Sequence, residues 1–318
     1  MYLYLFFFYT NTYVFSYLNL LFYCILCISK ALFQNINAGF YIIKNEVLDY
    51  IIELFQSVKM KKKRLRGTKL YVPKICVGTF QFTTGWKKSF EKKTLKNCLK
   101  ICEKNDSRFI DTADSYQNGN VENEIGKYLK YKKRKKWIIA TKFGQLNGYE
   151  FDKIEKNLNS SLRRLRTHYI DIYYFHSGTR KQFLNKKLWN YLNHKVKIGK
   201  IKYLGYSLSF KELMKFKKKD FRLFKKFNIK ILQVVYNPLF SIAKKKIFQS
   251  ALKHNISVIV RGSLAKGLLS SRHLNLNNFD LKRFKQKKIK LSNNKFYSLT
   301  NYMQNTKKNP IKLTFNNI

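Results

Sequence analysis

Between Ile75 and Arg272 the chain alternates between short apolar runs rich in β-branched residues and longer charged stretches of helical period. The runs predict strands at Ile75–Val77, Arg108–Asp111, Trp137–Lys142, Ile170–His176, Lys202–Ser207, Lys230–Tyr236 and Ser257–Arg261. Helices are predicted between them, near 91–104, 122–132, 151–165, 185–198, 210–219 and 243–254. Tandem βα units of this kind form a parallel sheet wrapped by helices, either a barrel or a doubly wound sheet. A doubly wound nucleotide-binding sheet wants a GxGxxG after its first strand, and none is present. Polar residues instead recur at strand ends: Asp111, Lys142, His176, Ser207 and Gln233. Gathering polar groups from the carboxyl ends of many strands is the habit of the barrel. The expected fold is therefore α/β, a (β/α)8 TIM barrel. Seven strands do not close it, so the last strand and the C-terminal segment are expected to be missing from this chain.

With 318 residues, 45% of them hydrophobic, the chain can bury a large core, which excludes wholesale disorder. Of five cysteines, Cys24 and Cys27 lie in an apolar leader, and Cys76, Cys98 and Cys102 are scattered. This is neither a disulfide framework nor a zinc spacing, and no metal site is expected. Net charge is +48, from 65 Lys+Arg against 17 Asp+Glu. Charge of that sign suits a polyanion binder. However, only 12 of the 65 are Arg, and the 53 Lys are spread over nearly every segment alongside abundant Asn, Ile, Phe and Tyr. Compositional drift explains that spread better, and no specific nucleic-acid partner is expected.

Residues 1–29 carry no charged side chain, a length sufficient for a membrane anchor or signal sequence, although no basic n-region or clear cleavage site accompanies them. Residues 1–59 are read as a leader, an anchor or upstream sequence, and 60–318 as the barrel domain, because Met60 begins a segment like a natural start. The expected location is cytoplasmic, the alternative being membrane or organelle association through the N-terminal segment.

Phe109-Ile-Asp-Thr-Ala-Asp-Ser-Tyr116 leads into Gly119, Glu122 and Gly126, spaced YxxGxxExxxG. Ala-Thr-Lys142-Phe-Gly, Ser161-Leu-Arg-Arg-Leu, Tyr-Ile-Asp-Ile-Tyr-Tyr-Phe-His176, Gly205-Tyr-Ser207, Gln233-Val-Val-Tyr-Asn237 and Leu264-Ala-Lys-Gly267-Leu-Leu follow in order. In this succession the chain resembles the aldo-keto reductase family over about 60–318. Reducing a carbonyl by hydride needs a proton donor for the developing alkoxide, and Tyr116 suits that role, with Lys142 as the cation that tunes it and Asp111 as the partner that holds Lys142. His176 can orient the substrate oxygen. The resemblance gives the same four residues these catalytic roles. Taken singly, each has a bland alternative as a structural residue; their order along successive strands is what joins them.

The resemblance further implies NADP (NADPH) as cofactor. Gly78, Thr79 and Phe80 match the loop that meets the nicotinamide ribose, and Asp111, Ser207 and Gln233 match groups around the nicotinamide. Leu208 stands where the family usually has Asn, and Arg261 where many members have a stacked aromatic. Both departures resemble a bacterial-type branch, and a guanidinium also stacks on flat rings. Gly262, Ser263 and Leu264 could cradle the pyrophosphate through their backbone amides, with Lys266 adding charge. The substrate implied is a small carbonyl compound, an aldehyde or ketone. The alternative reading is a cofactor-sensing binding module on the same fold, as in potassium-channel β-subunits.

Overall fold

A computed structural model of the protein describes residues 62–263 and 265, apart from 86, 88, 238 and 239. The leader 1–59, and Leu264, Lys266 and the C-terminal segment that bear on barrel closure, lie outside the described residues. The chain divides into two units, one of residues 58–235 and 242–261, the other of 1–57, 236–241 and 262–318. Among the described residues of the second, Asn237 bridges antiparallel to Phe240 and its Nδ2 donates to the Gly262 carbonyl at 2.8 Å.

The first unit opens with an antiparallel hairpin, β1 (Lys62–Arg64) and β2 (Tyr71–Pro73). Seven parallel strands follow in sequence order: β3 (Val77–Gly78), β4 (Phe109–Asp111), β5 (Ile138–Phe143), β6 (Ile170–His176), β7 (Ile201–Ser207), β8 (Ile229–Val235) and β9 (Ser257–Arg261). Helices α1 (Lys92–Lys104), α2 (Asn120–Leu129), α3 (Phe151–Arg164), α4 (Arg180–Phe183) and α5 (Lys186–Lys197) connect them as far as β7. Beyond it lie α6 (Phe210–Lys215), α7 (Asp220–Lys226) and α8 (Gln249–Lys253), the last entered through a π-helical segment, Lys244–Phe248.

Strand order with no crossovers is the order of a barrel, and one bond shows the sheet to be rolled. Gln233 on β8 donates from Nε2 to Asp111 Oδ2 on β4 at 2.8 Å. The two strands stand four positions apart. Adjacent strands lie about 4.8 Å apart, so in a flat sheet these would be separated by about 19 Å. Inside the roll, Phe109, Ala140, Ile172, Tyr174 and Ile231 pack with Val72 of the hairpin, which thereby plugs the interior. Gly205 admits the Tyr174 ring; a Cβ there would sit 2.4 Å from it. Among the described residues the architecture is that of a (β/α)8 barrel through its seventh parallel strand, as the strand pattern predicts.

Two departures from expectation are physical. The helix predicted over 210–219 ends at Lys215, because Phe216 turns to an extended backbone and buries its ring against Phe221 and Phe224, and α7 lies beyond the predicted range. The hairpin was not expected at all, since three-residue strands in a Lys-rich segment show no usable period. Among the described residues no helix is long and apolar enough to cross a membrane.

The YxxGxxExxxG spacing has a structural cause. Glu122, fully buried on α2, accepts from Thr141 Oγ1 at 2.6 Å, Ser161 Oγ at 3.3 Å and Arg164 Nε at 2.7 Å. One carboxylate thus ties α2 to β5 and α3. Four residues on, Gly126 lets the helices touch: a Cβ there would lie 2.1 Å from the Arg164 carbonyl oxygen. The obstacle is backbone, so Gly126→Ala must push α2 and α3 apart. A loss of about 1–3 kcal/mol is expected, read from urea midpoints; an unchanged midpoint would show that the contact is not tight.

Asp114 sits beside this cluster, fully buried, with Oδ2 accepting from the Gly144 N–H at 3.2 Å and Oδ1 lacking a partner among the described residues. Burial first, then the Glu122 charge, pushes its carboxyl up to about 7. An unfolded Asp releases its proton near 3.9. Stability from the protonated form is therefore full below about pH 4 and lost as pH rises through about 7. Asp114→Asn keeps an oxygen for Gly144 and removes the ionisation. Relative to the parent, it should gain about 1 kcal/mol or more on going from pH 5 to pH 8, measured by urea unfolding. Parallel pH dependences in the two proteins would refute the shift.

Candidate active site

Strand register decides which side chains meet. Asp111 pairs with Ala140, two before Lys142; Lys142 pairs with Tyr174, two before His176. His176 pairs with Ser207, Ser207 with Gln233, and Gln233 with Ile259, two before Arg261. Side chains alternate with period two, so Asp111, Lys142, His176, Ser207, Gln233 and Arg261 share one face, the inner one, at the carboxyl ends of the strands.

At their centre is Lys142, 1% exposed. Its Nζ donates to Asp111 Oδ1 at 2.6 Å, to the Thr112 carbonyl at 2.7 Å and to Tyr116 Oη at 3.2 Å. An ammonium has three protons, and all three are used. Burial acts to strip the charge, but Asp111 and Tyr116 outweigh it and hold the amine above its ordinary range. Asp111 uses its second oxygen for Gln233, whose Oε1 accepts from Ser207 Oγ at 2.8 Å. Ser207, Gln233, Asp111, Lys142 and Tyr116 therefore form one connected network.

Tyr116 comes from the loop after β4 and is half-buried. Its ring lies 5.2 Å from Phe80 and 6.3 Å, edge-on, from His176. Burial, reinforced by Lys142 and Arg261, holds the His176 imidazole well below its usual pKa, so it is neutral around pH 7. Its Nδ1 is buried with no hydrogen-bond partner among the described residues, and its carbonyl accepts from Tyr149 Oη. Arg261 donates to the Leu208 carbonyl at 3.0 Å, its pKa lowered by burial, with Tyr116 and Asp111 opposing.

The loop after β3 closes on the same place. Gly78 pairs with Asp111, and the Thr79 N–H and Oγ1 both donate to the Asp111 carbonyl at 3.0 Å. Phe80 reaches Tyr116, while Thr84 bonds Gln117 at the other side of the Tyr116 loop. The described structure thus brings together Asp111, Tyr116, Lys142, His176, Gly78, Thr79, Phe80, Ser207, Gln233 and Arg261. Gly262 and Ser263 belong to the second unit, and Leu264 and Lys266 lie outside the described residues. Sequence reasoning missed the Thr112 carbonyl, a backbone group that leaves no residue-type signal. It also missed Asp114, although Asp114 stands in the same motif as Asp111 and Tyr116.

Against known proteins, residues 74–314 match the model of the Aldo/keto reductase family. An uncharacterized oxidoreductase of Bacillus subtilis, YqkF, is 28% identical over 224 residues, covering 68% of each chain. The aldo-keto reductase yakc of Schizosaccharomyces pombe, whose name specifies NADP(+), is 30% identical over 59% of this chain and 57% of its own. Norsolorinic acid reductase A of Aspergillus parasiticus is 28% identical over 43% of this chain and only 39% of its own. The chain thus spans between about two fifths and two thirds of the length of these relatives. Among solved structures, the holo form of aldo-keto reductase AKR11C1 from Bacillus halodurans superposes with a TM-score of 0.57 at 28% identity, covering 71% of this chain and 76% of that one. The glycerol dehydrogenase AKR11B4 of Gluconobacter oxydans shares the fold, with a TM-score of 0.62 at 23% identity over 79% and 80%. With 241 of its residues inside the family match and the strand order of a barrel, the chain belongs to the aldo/keto reductase family.

Proposed function

We propose that the protein reduces an aldehyde or ketone with NADPH, Tyr116 donating the proton. The observation that carries this reading is the position of Lys142 Nζ, within hydrogen-bond distance of Asp111, Thr112 and Tyr116 together. An ammonium can only donate, so at that contact the phenol oxygen accepts. The phenolic proton is then free to point away from Lys142, towards a substrate oxygen. Once it leaves, the phenolate faces a buried cation 3.2 Å away, which favours the transfer. Asp111 keeps that cation charged.

His176, neutral around pH 7, has one N–H with which to hold the substrate oxygen against Tyr116. Phe80 adds an apolar wall beside the phenol. A nicotinamide cofactor, when bound, supplies the hydride. The residues present fit it: Ser207 and Gln233 offer a hydroxyl and an amide of both donor and acceptor character, as a carboxamide requires. Those groups now bond each other and Asp111, so they would exchange existing bonds for new ones. The choice of NADP is supported by the name of the fission-yeast relative.

Two measurements test the reading. Tyr116→Phe should lower kcat by about 10²–10⁴ while cofactor affinity stays within about twofold, since a general acid is lost and little else. A variant with near-parental kcat would refute the assignment and favour a binding module that senses the cofactor. Ser207→Ala should weaken NADPH binding about fivefold, the worth of one hydrogen bond of about 1 kcal/mol, in a titration of cofactor fluorescence. Unchanged affinity would place the nicotinamide elsewhere.

A further inference from the structure

Five helices leave their last turn through a residue in the left-handed region. These residues are Asp106 after α1, Arg166 after α3, Gly199 after α5, Asn228 after α7 and Asn255 after α8, with φ between 50° and 77°. In α3 the Arg166 N–H returns to the Arg163 carbonyl and the Thr167 N–H to that of Leu162, each at 3.1 Å; α5 closes in the same way through Gly199 and Lys200. Gly, Asn and Asp enter this region readily, and Arg does so only against steric resistance. Arg166 is the departure.

It stands over an open groove of about 380 Å³ at the amino ends of the strands, opposite the candidate active site. Arg163, Arg166, His168 and Lys200 line it together with Asn159 over a floor of Leu162, and no carboxylate does. Nearby acids are committed elsewhere: Glu122 to Arg164, Asp171 to Arg134 and Lys202, and Glu155 to Lys195. Arg163, Arg166 and Lys200 stand outside every ion pair among the described residues. Adjacent Arg163 and Arg164 are thus divided, one facing the groove and the other locked inside.

The loop that carries these groups is braced from behind. Arg134 donates to Thr167 Oγ1 at 2.9 Å and to the Tyr169 carbonyl at 3.0 Å, and Ile170 N–H bonds the Lys200 carbonyl at 3.0 Å, joining the two helix endings. A fixed loop loses little freedom on binding.

We propose that this groove binds a small phosphate-bearing anion of the pyrophosphate class. Two guanidinium forks match phosphate oxygens in pairs, and Lys200 adds a third permanent charge. The groove's place on the opposite face separates it from any pyrophosphate that a nucleotide cofactor brings.

Inorganic pyrophosphate titrated calorimetrically into the full chain at about 0.15 M salt should bind one to one, because diffuse charge is screened beyond about 8 Å there. Arg163→Gln with Arg166→Gln should weaken it by about tenfold or more, with NADPH affinity unchanged. Lys96→Gln with Lys100→Gln, which removes equal charge from exposed positions on α1, should leave pyrophosphate affinity within about twofold. Arg166→Gly should melt higher than the parent, its left-handed backbone relieved, and still bind pyrophosphate more weakly. Equal weakening by both double variants would reduce the groove to general surface charge and overturn the proposal. Displacement of pyrophosphate by NADPH would overturn it too, as would an oligonucleotide that needs these arginines when pyrophosphate does not bind.

Discussion

An ammonium group at the carboxyl ends of the strands, buried to 1% exposure, is tolerable only if every proton is taken and a counter-charge stands beside it. Lys142 meets that condition through Asp111, Thr112 and Tyr116, and the requirement propagates outward. Asp111 must be held on β4 with its carboxylate turned inward, and it is, by Gln233 from four strands away. That bond exists only because the sheet is rolled. The loop after β4 must bring Tyr116 back over Lys142, and it does so with its backbone pinned, the Asp114 N–H donating to the Lys142 carbonyl at 3.1 Å. Barrel curvature and site chemistry are thus aspects of the same arrangement. Removing either partner of the central pair would leave a buried charge uncompensated, a larger loss than the pair's own net worth.

How much of this was legible in the sequence depended on whether the signal was periodic or spatial. Strand periodicity placed β6 and β9 residue for residue and the other parallel strands to within one or two positions at either end. Strand-end polarity marked Asp111, Lys142, His176, Ser207 and Gln233, since a polar residue closing an apolar run needs a reason to be there. The Gln233–Asp111 bond was not readable, because 122 residues separate the partners and only curvature joins them. Glu122 was visible as a motif letter; its role as a three-way tie between α2, β5 and α3 needed the packing. The split of α6 from α7 turns on one aromatic, Phe216, finding a pocket among Phe221 and Phe224, a tertiary preference that overrides helical period.

The two ends of the strands are built differently. At the carboxyl ends, polar side chains converge on one network. At the amino ends, helix after helix closes by the same left-handed turn, and the buried charge is structural: Asp171 takes Arg134, Lys202 and the Ile139 N–H. That arrangement anchors β5, β6 and β7 to one another below the interior plugged by the hairpin. A barrel can therefore vary its chemistry at one end without disturbing the register set at the other.

The same division explains why a net charge of +48 says little about what the protein does. Exposed lysines lie in high dielectric, where adding or removing one changes stability by a few tenths of a kcal/mol. The carboxylates inside are another matter. Asp111, Glu122 and Asp171 each face at least one cation, and neutralising Asp111 would strand the buried Lys142 in a low-dielectric interior at about 3–5 kcal/mol, whereas the partners of Glu122 and Asp171 reach solvent and would cost less. Asp114 lacks such a partner and escapes the cost by holding its proton up to about pH 7. A sequence can thus grow steadily more basic on its surface while its few interior acids stay fixed by the cations they serve. The chemistry is carried by those few, and composition averages them away.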